Sequence, residues 1–452
     1  MFRKSLLLSV VAGIFFVSCS TMGDYDFATV NESLNTGEYE SAHQVVTTDS
    51  KKIYNSHDEV LQSLDLGILS HYAGEYQRSN KELSHAERKI EEYYAKSVTQ
   101  SISSYLVNDT VVDYDGEVFE DIYLNIFMAL NYIHLGNIED AFVEIRRFDN
   151  KLKVASAKYS DKIAAANQEN SSKGGEAIDV PKMNFHNSAL ARYLSMILYR
   201  SRGQLDSAQI DMKYLDSAFA SQPSIYNFSK PRSLEQELNV PKGQGRVNVI
   251  AFTGKSPVKI EEDLELYSFV GNFYYKIAYP EMRKQSSTIH SVQVSAIPAG
   301  EIIAGQATQQ PTAVATVSLE PLESISNIAM DTFAQHKALI YLRAVIRSIG
   351  KATTSTVWGV MADKSSDVGM GLLFSALELA SVISTDISER ADVRVARYLP
   401  SVAWVTGINL DPGDYILNIE YKNESGAMVA MEQKNITVSA SGVNLVEGVC
   451  LK

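Results

Sequence analysis

"GNIEDAFVEIRRF", residues 136–148, carries the pattern on which the fold turns. Its glycine is followed at offsets 2, 5, 9 and 12 by Ile138, Ala141, Ile145 and Phe148. Steps of 3, 4 and 3 residues trace one face of an α-helix that begins just after the glycine. The register recurs three times. "GEYESA" at 37–42 supplies Tyr39, Ala42 and then Val46; "GEYQRS" at 74–79 supplies Tyr76, Ser79, Leu83 and Ala86; "GQLDSA" at 203–208 supplies Leu205, Ala208, Met212 and Leu215. Asp49, at offset 12 of the first copy, is the one break in the stripe. Amphipathic runs such as "LQSLDLGILSHYA" and "IYLNIFMALNYIHL" lie upstream of the glycines. The unit is helix, turn, helix, with Gly37, Gly74, Gly136 and Gly203 at the bends and a small residue at offset 5 where the paired helices approach.

This unit resembles the tetratricopeptide repeat. Leu66-Gly67, Gly74, Tyr76, Leu83 and Ala86 stand at that motif's spacings, with Ser79 and Ser70 replacing its usual Ala and Tyr; Tyr132, Ala141 and Ile145, then Tyr199 and Ala208, continue it. The resemblance implies a solenoid with an extended face for gripping peptides or helices of another protein. Successive glycines are 37, 62 and 67 residues apart, so the later units need insertions between them.

Beyond about residue 225 the pattern changes. A proline-bearing stretch reads as a linker, and "RVNVIAF", "SVQVSAI", "TAVATVSL", "DYILNIEY" and "NITVSA" alternate with the period of strands. An amphipathic helix is expected near 330–352 and a buried apolar helix at "VGMGLLFSALELASVIS". "LDPGDY" and "NESGAM" read as the turns of a terminal antiparallel unit. The expected class is α+β: a signal at 1–18, helical repeats over 19–225, a linker at 226–245, a mixed domain over 246–390 and a small β unit over 391–452.

The first residues address the chain. Arg3 and Lys4 precede an apolar run from Leu6 to Val17 that is too short for a permanent span. "FVSC", ending at Cys19, resembles the lipobox of bacterial lipoproteins, with Phe16 where Leu is usual. That resemblance implies lipidation of Cys19 and anchoring to an envelope membrane, the outer one given Ser20 after the Cys. Only Cys19 and Cys450 are present, so an internal disulfide is not expected. The net charge of −13 argues against nucleic acid as a partner.

"ADVRVARYLPSVAWVTGINLDPGDYILNIEY", with the helices before it, further resembles a broad family of uncharacterised bacterial lipoproteins with repeats in the first half and strands in the second. Asp392, Arg394, Leu399 and Pro400 match its pattern, whereas Ala396 stands where Trp is usual, and Ser188 and Ala189 where a Pro and an aromatic are.

Signals for chemistry are sparse. Gly254-Lys255-Ser256 copies the end of a phosphate loop, yet Val249 occupies the position of its first glycine and Pro257 interrupts the helix that would bind the anion. The histidines form no metal-ligand pair, no nucleophile elbow occurs, and neither an enzyme nor a cofactor is expected. Arg343, Arg347 and Lys351 recur every four residues and, with Arg394, Arg397 and Asp392, are candidates either for an anion site or for structural ion pairs. Arg146, Arg147 and Glu144 pose the same choice. The leading expectation is a lipid-anchored scaffold whose repeats bind another envelope protein; the alternatives are a C-terminal site for an anionic glycan or lipid headgroup, or a subunit of a larger envelope machine.

Overall fold

A computed structural model of the chain describes residues 25–99, 112–172, 181–268, 273–299, 312–351 and 391–452. Cys19 and the apolar stretch at 368–384 lie outside the described residues. Helices α1 (Ala28–Thr36) and α2 (Tyr39–Thr48), with a short α3 (Ser50–Ile53), come first; α4 (Glu59–Tyr72) and α5 (Tyr76–Thr99), α6 (Val118–His134) and α7 (Ile138–Ser172), and α8 (Ala189–Ser201) and α9 (Leu205–Ser221) follow as pairs. Every pair is joined at one of the four glycines.

The four bends share one hydrogen-bond pattern. Gly37, Gly74, Gly136 and Gly203 have φ of 79°, 79°, 72° and 70°, in the left-handed region. Each donates its N–H to the carbonyl three residues back, and the following residue donates to the carbonyl five back: Gly136 to Ile133 and Asn137 to Tyr132, for example. This is the Schellman closure, which satisfies the last carbonyls of the first helix and starts the second two residues later. Ala42, Ser79, Ala141 and Ala208, at offset 5, are all fully buried between the paired helices. At Gly67 the demand is packing, because an added Cβ would stand 2.6 Å from Leu83 Cδ2.

The second half builds strands β1 (Gly245–Lys255), β2 (Val258–Ser268), β3 (Phe273–Arg283), β4 (Ser291–Pro298) and β5 (Ala315–Ser324), the helix α10 (Ile325–Lys351), then β6 (Pro400–Leu410), β7 (Gly413–Lys422), β8 (Met428–Val438) and β9 (Asn444–Cys450). Seven strands form one mixed sheet in the order β8-β7-β4-β5-β6-β1-β9, while β2 and β3 make a separate hairpin. Its two ends curl toward each other: Val449 N–H on β9 donates to Glu432 Oε1 on β8 at 2.6 Å, giving a near-barrel. The chain is therefore α+β.

Strands from 391–452 do not stand as a unit of their own. β6 pairs with β1 and β5, β7 pairs with β4, and β9 runs parallel to β1. "LDPGDY" thus joins strands separated by two others, whereas "NESGAM" closes the true β7–β8 hairpin with Gly426 at φ 80°. The stretch read as a linker is packed, with Leu234 and Glu237 fully buried.

Two cores result. Val247, Val249, Ala251, Val294, Leu417 and Ile419 fill the inside of the near-barrel. Ile250, Phe252, Ala403 and Val405 look outward and join Phe127, Leu130, Leu194 and the other inner helix faces. Strand β1 is consequently covered on both faces, which is why "RVNVIAF" is apolar well beyond simple alternation. On α9, at the far end of the row of hairpins, Leu205, Ile210 and Tyr214 are exposed.

A Cβ at Gly136 would meet nothing within 4 Å, so substitution there acts through backbone conformation alone. Gly136→Ala should lower the unfolding free energy by ~1–2 kcal/mol, and Gly136→Asn by less, in chemical denaturation. Equal loss from both would locate the cost elsewhere.

Candidate functional site

Between α5 and α7, floored by α6, lies a polar groove of about 630 Å³. Helical spacing assembles it: Glu87 and Glu91 are one turn apart on α5, Tyr132 lines it from α6, and Glu144, Arg147 and Lys151 form a stripe on α7. Asn125, fully buried, rises between the two walls. Its amide nitrogen donates to Glu87 Oε1 at 2.9 Å and to Glu144 Oε2 at 2.7 Å. Its amide oxygen is buried and has no hydrogen-bond partner among the described residues.

The two carboxylates differ in environment. Lys151, tied to Asp121 Oδ1 at 2.7 Å, also reaches Glu87 Oε1 at 2.8 Å. Burial pushes the Glu87 carboxyl up, but Lys151 with the Asn125 amide outweighs it and holds the group below the usual range. Glu144 is raised: burial dominates, the negative charge of Glu87 adds to it, and the Asn125 amide and Arg147 offset it only in part. Arg147 lies 3.0 Å from Glu87 but 3.4 Å from Glu144, and its side chain is 52% exposed. The groove therefore pairs one well-neutralised acid with one that is poorly neutralised.

Elsewhere the charges are internal fastenings. Arg394 donates to Asp392 through Nε and Nη2, both at 2.8 Å, and to Asp58 Oδ1 at 3.2 Å, with the Tyr114 ring 5.2 Å away. Its guanidinium is thus spent inside the fold. Arg397 is held by Asp65 at 2.8 Å. Arg343 and Arg347 stand on α10, and their side chains lie outside the described residues. Gly254, with φ 62°, merely ends β1 before the turn into β2. Glu262 pairs with Arg283 across the β2–β3 hairpin, and Glu261 accepts the Ala391 N–H at 2.7 Å.

Two clusters escaped the sequence reading. Glu447 on β9 is clasped by His71 Nε2 at 3.1 Å and His134 Nε2 at 2.5 Å, with Tyr76 stacked on His134 at 4.5 Å. Burial pushes the Glu447 carboxyl up, but the two histidines hold it far below the usual range. Among the described residues no group of three or more His, Cys, Asp or Glu side chains is arranged to hold a metal ion, so this is a hydrogen-bonded clasp. At the start of α6, Glu117 pairs with Lys259 at 2.5 Å and His336 at 2.9 Å in a buried knot. Glu120 beside it accepts from Ala396 N–H at 2.5 Å and Tyr114 Oη at 2.7 Å. Each pairs residues more than a hundred positions apart, and no local spacing announces them. Of the charged groove residues, the sequence singles out Arg147 and Glu144, in the group with Arg146, as candidates for an anion site or an ion pair.

Comparison of the chain with protein-family models, curated proteins and solved structures gives no match. Fold and groove define the class: an α+β protein whose helical hairpins dock on a near-closed sheet and present a polar cleft between their outer helices. No described helix is long and apolar enough to cross a membrane.

Glu120 supplies a pH test. Burial, then the charge of Glu117, pushes its carboxyl from the ordinary 4.5 to about 7. Between those values the folded chain keeps a proton that the unfolded chain has lost, so this group lowers stability as pH rises from 4.5 toward 7. Glu120→Gln should remove that slope: relative to wild type, the variant gains up to ~3 kcal/mol over this interval. Parallel stability–pH curves for the two proteins would show that Glu120 titrates normally.

Proposed function

We propose that the chain is a lipid-anchored adaptor of a bacterial cell envelope that binds another envelope protein through its helical hairpins, without catalysis of its own. The observation that carries this reading is the groove between α5 and α7. It is built by two successive hairpins, it is open along the helices, and it keeps charged side chains half exposed where a fastening would bury them. On this reading the hairpins are divergent tetratricopeptide-like units set at unequal spacing, and the sheet is the platform that fixes them. The lipobox-like "FVSC" supplies the anchor at Cys19, facing the periplasm from the outer membrane.

Cys19→Ser should move the protein from the membrane to the soluble periplasmic fraction on fractionation; retention on membranes would remove the anchor. A photo-crosslinking residue at Ser84, on the groove wall, should give a discrete adduct in intact envelopes. Reversing the rim charges Glu91 and Asp140 to Lys should abolish it. Equal adduct yield from Lys213, exposed on α9, would show that the groove is not the docking place.

A further inference from the structure

Four carboxylates, Glu87, Glu91, Asp140 and Glu144, line the groove against three cations, Arg88, Arg147 and Lys151. Lys151 is already committed to Asp121, which lies outside that lining. The remaining acid surplus concentrates at Glu144, whose side chain is 6% exposed and whose ion pair among the described residues is with Arg147, which reaches it from solvent at 3.4 Å while Lys151 acts on it from further off. Beside it stands Tyr132, half-buried on the groove wall, whose hydroxyl is raised by burial and then by the charge of Glu144. Beneath it is the unpartnered amide oxygen of Asn125. A carboxylate and an aromatic side chain lining one cavity, with Asn125 holding the carboxylate from behind that lining, form surroundings that suit a primary ammonium or a guanidinium.

We infer that Glu144 and Tyr132, with Asn125 positioning Glu144 from beneath, form a seat for a lysine or arginine side chain of an extended partner segment, and that Arg147 occupies this seat in its absence. The inference rests on the adaptor reading and adds the chemistry of the partner. Arg147 fits the role of an internal stand-in: it carries the incoming charge, it stays half exposed, and its contact with Glu144 is long. An incoming basic residue displaces it toward solvent and takes over the neutralisation of Glu144. The acidic balance of the whole chain, −13, favours the approach of basic segments over acidic ones. A nucleic acid or an anionic headgroup would face the opposite electrostatics here.

Calorimetric titration of the full-length protein at constant ionic strength tests this with three peptides: acetyl-Gly-Lys-Gly-Lys-Gly-amide and its Glu and Ser counterparts. Saturable binding is expected for the lysine peptide alone. Glu144→Gln should weaken it by about thirtyfold or more, the scale of one buried charge partner, while Arg147→Ala, which vacates the seat, should tighten it severalfold. Thermal unfolding confirms that each variant is folded. Should Glu144→Gln fail to fold, Arg147→Ala on its exposed side chain still decides. Lysine-peptide binding unchanged in Arg147→Ala would overturn the seat. Binding of the Glu or Ser peptide in preference would also overturn it yet leave the groove as a docking place, and the absence of binding by all three, together with no Ser84 adduct, would remove both.

Discussion

Carboxylates buried between the helices and the sheet each require a partner, and the rest of the structure is arranged around that requirement. Asp58, Asp65, Glu117 and Glu120 sit on the helical half with side chains almost fully buried. An uncompensated charge in such a place costs several kcal/mol. Each takes a partner from the second half: Arg394 for Asp58, Arg397 for Asp65, Lys259 for Glu117 and the Ala396 N–H for Glu120. Residues 391–399 thereby become a strap between two layers. Neither layer can keep its ionised groups satisfied without the other.

Further fastenings extend the same logic along the sheet. Tyr39, the first residue of α2, donates to Val449 O on β9 at 2.7 Å, and the Glu447 clasp adds α4 and α6 to that strand. Glu323, fully buried at the end of β5, accepts from Tyr123, Ser188, Tyr226 and the Leu190 N–H at the start of α8. With so many donors converging on one carboxylate, the third and fourth hairpins are held in register against the sheet. The hairpins are thus fixed individually to a common platform, which gives the α5–α7 groove rigid walls. The contrast between Arg394, 7% exposed, and Arg147, 52% exposed, separates charge used for holding from charge left open to a partner.

What could be read early was local. The glycine bends, the stripe at offsets 2, 5, 9 and 12 and the alternating strands follow from periods of 3.6 and 2, and these operate within a dozen residues. What could not be read was pairing at a distance. Glu261, Glu262 and Asp263 carry no strand signal, yet they stand on β2, where the hairpin ladder with β3 overrides their low strand propensity. "LDPGDY" looks like a hairpin turn, but β4 and β5 take the places beside β7 and β6, so the turn spans a gap. For Arg394 the choice between an anion site and an ion pair stays open in the sequence because Asp58 lies 336 residues away.

By itself, then, the sequence determined the paired helices, several of the strands, the positions of the bends and the buried face of most helices, because each depends on neighbours in the chain. The tertiary structure alone decided which strand closes the sheet, which arginines are consumed inside and which remain at a surface, and that Glu144 is left with a distant cation. Electrostatic and packing energies of this kind depend on separation in space and on burial. Neither quantity is written in the spacing of residues along the chain.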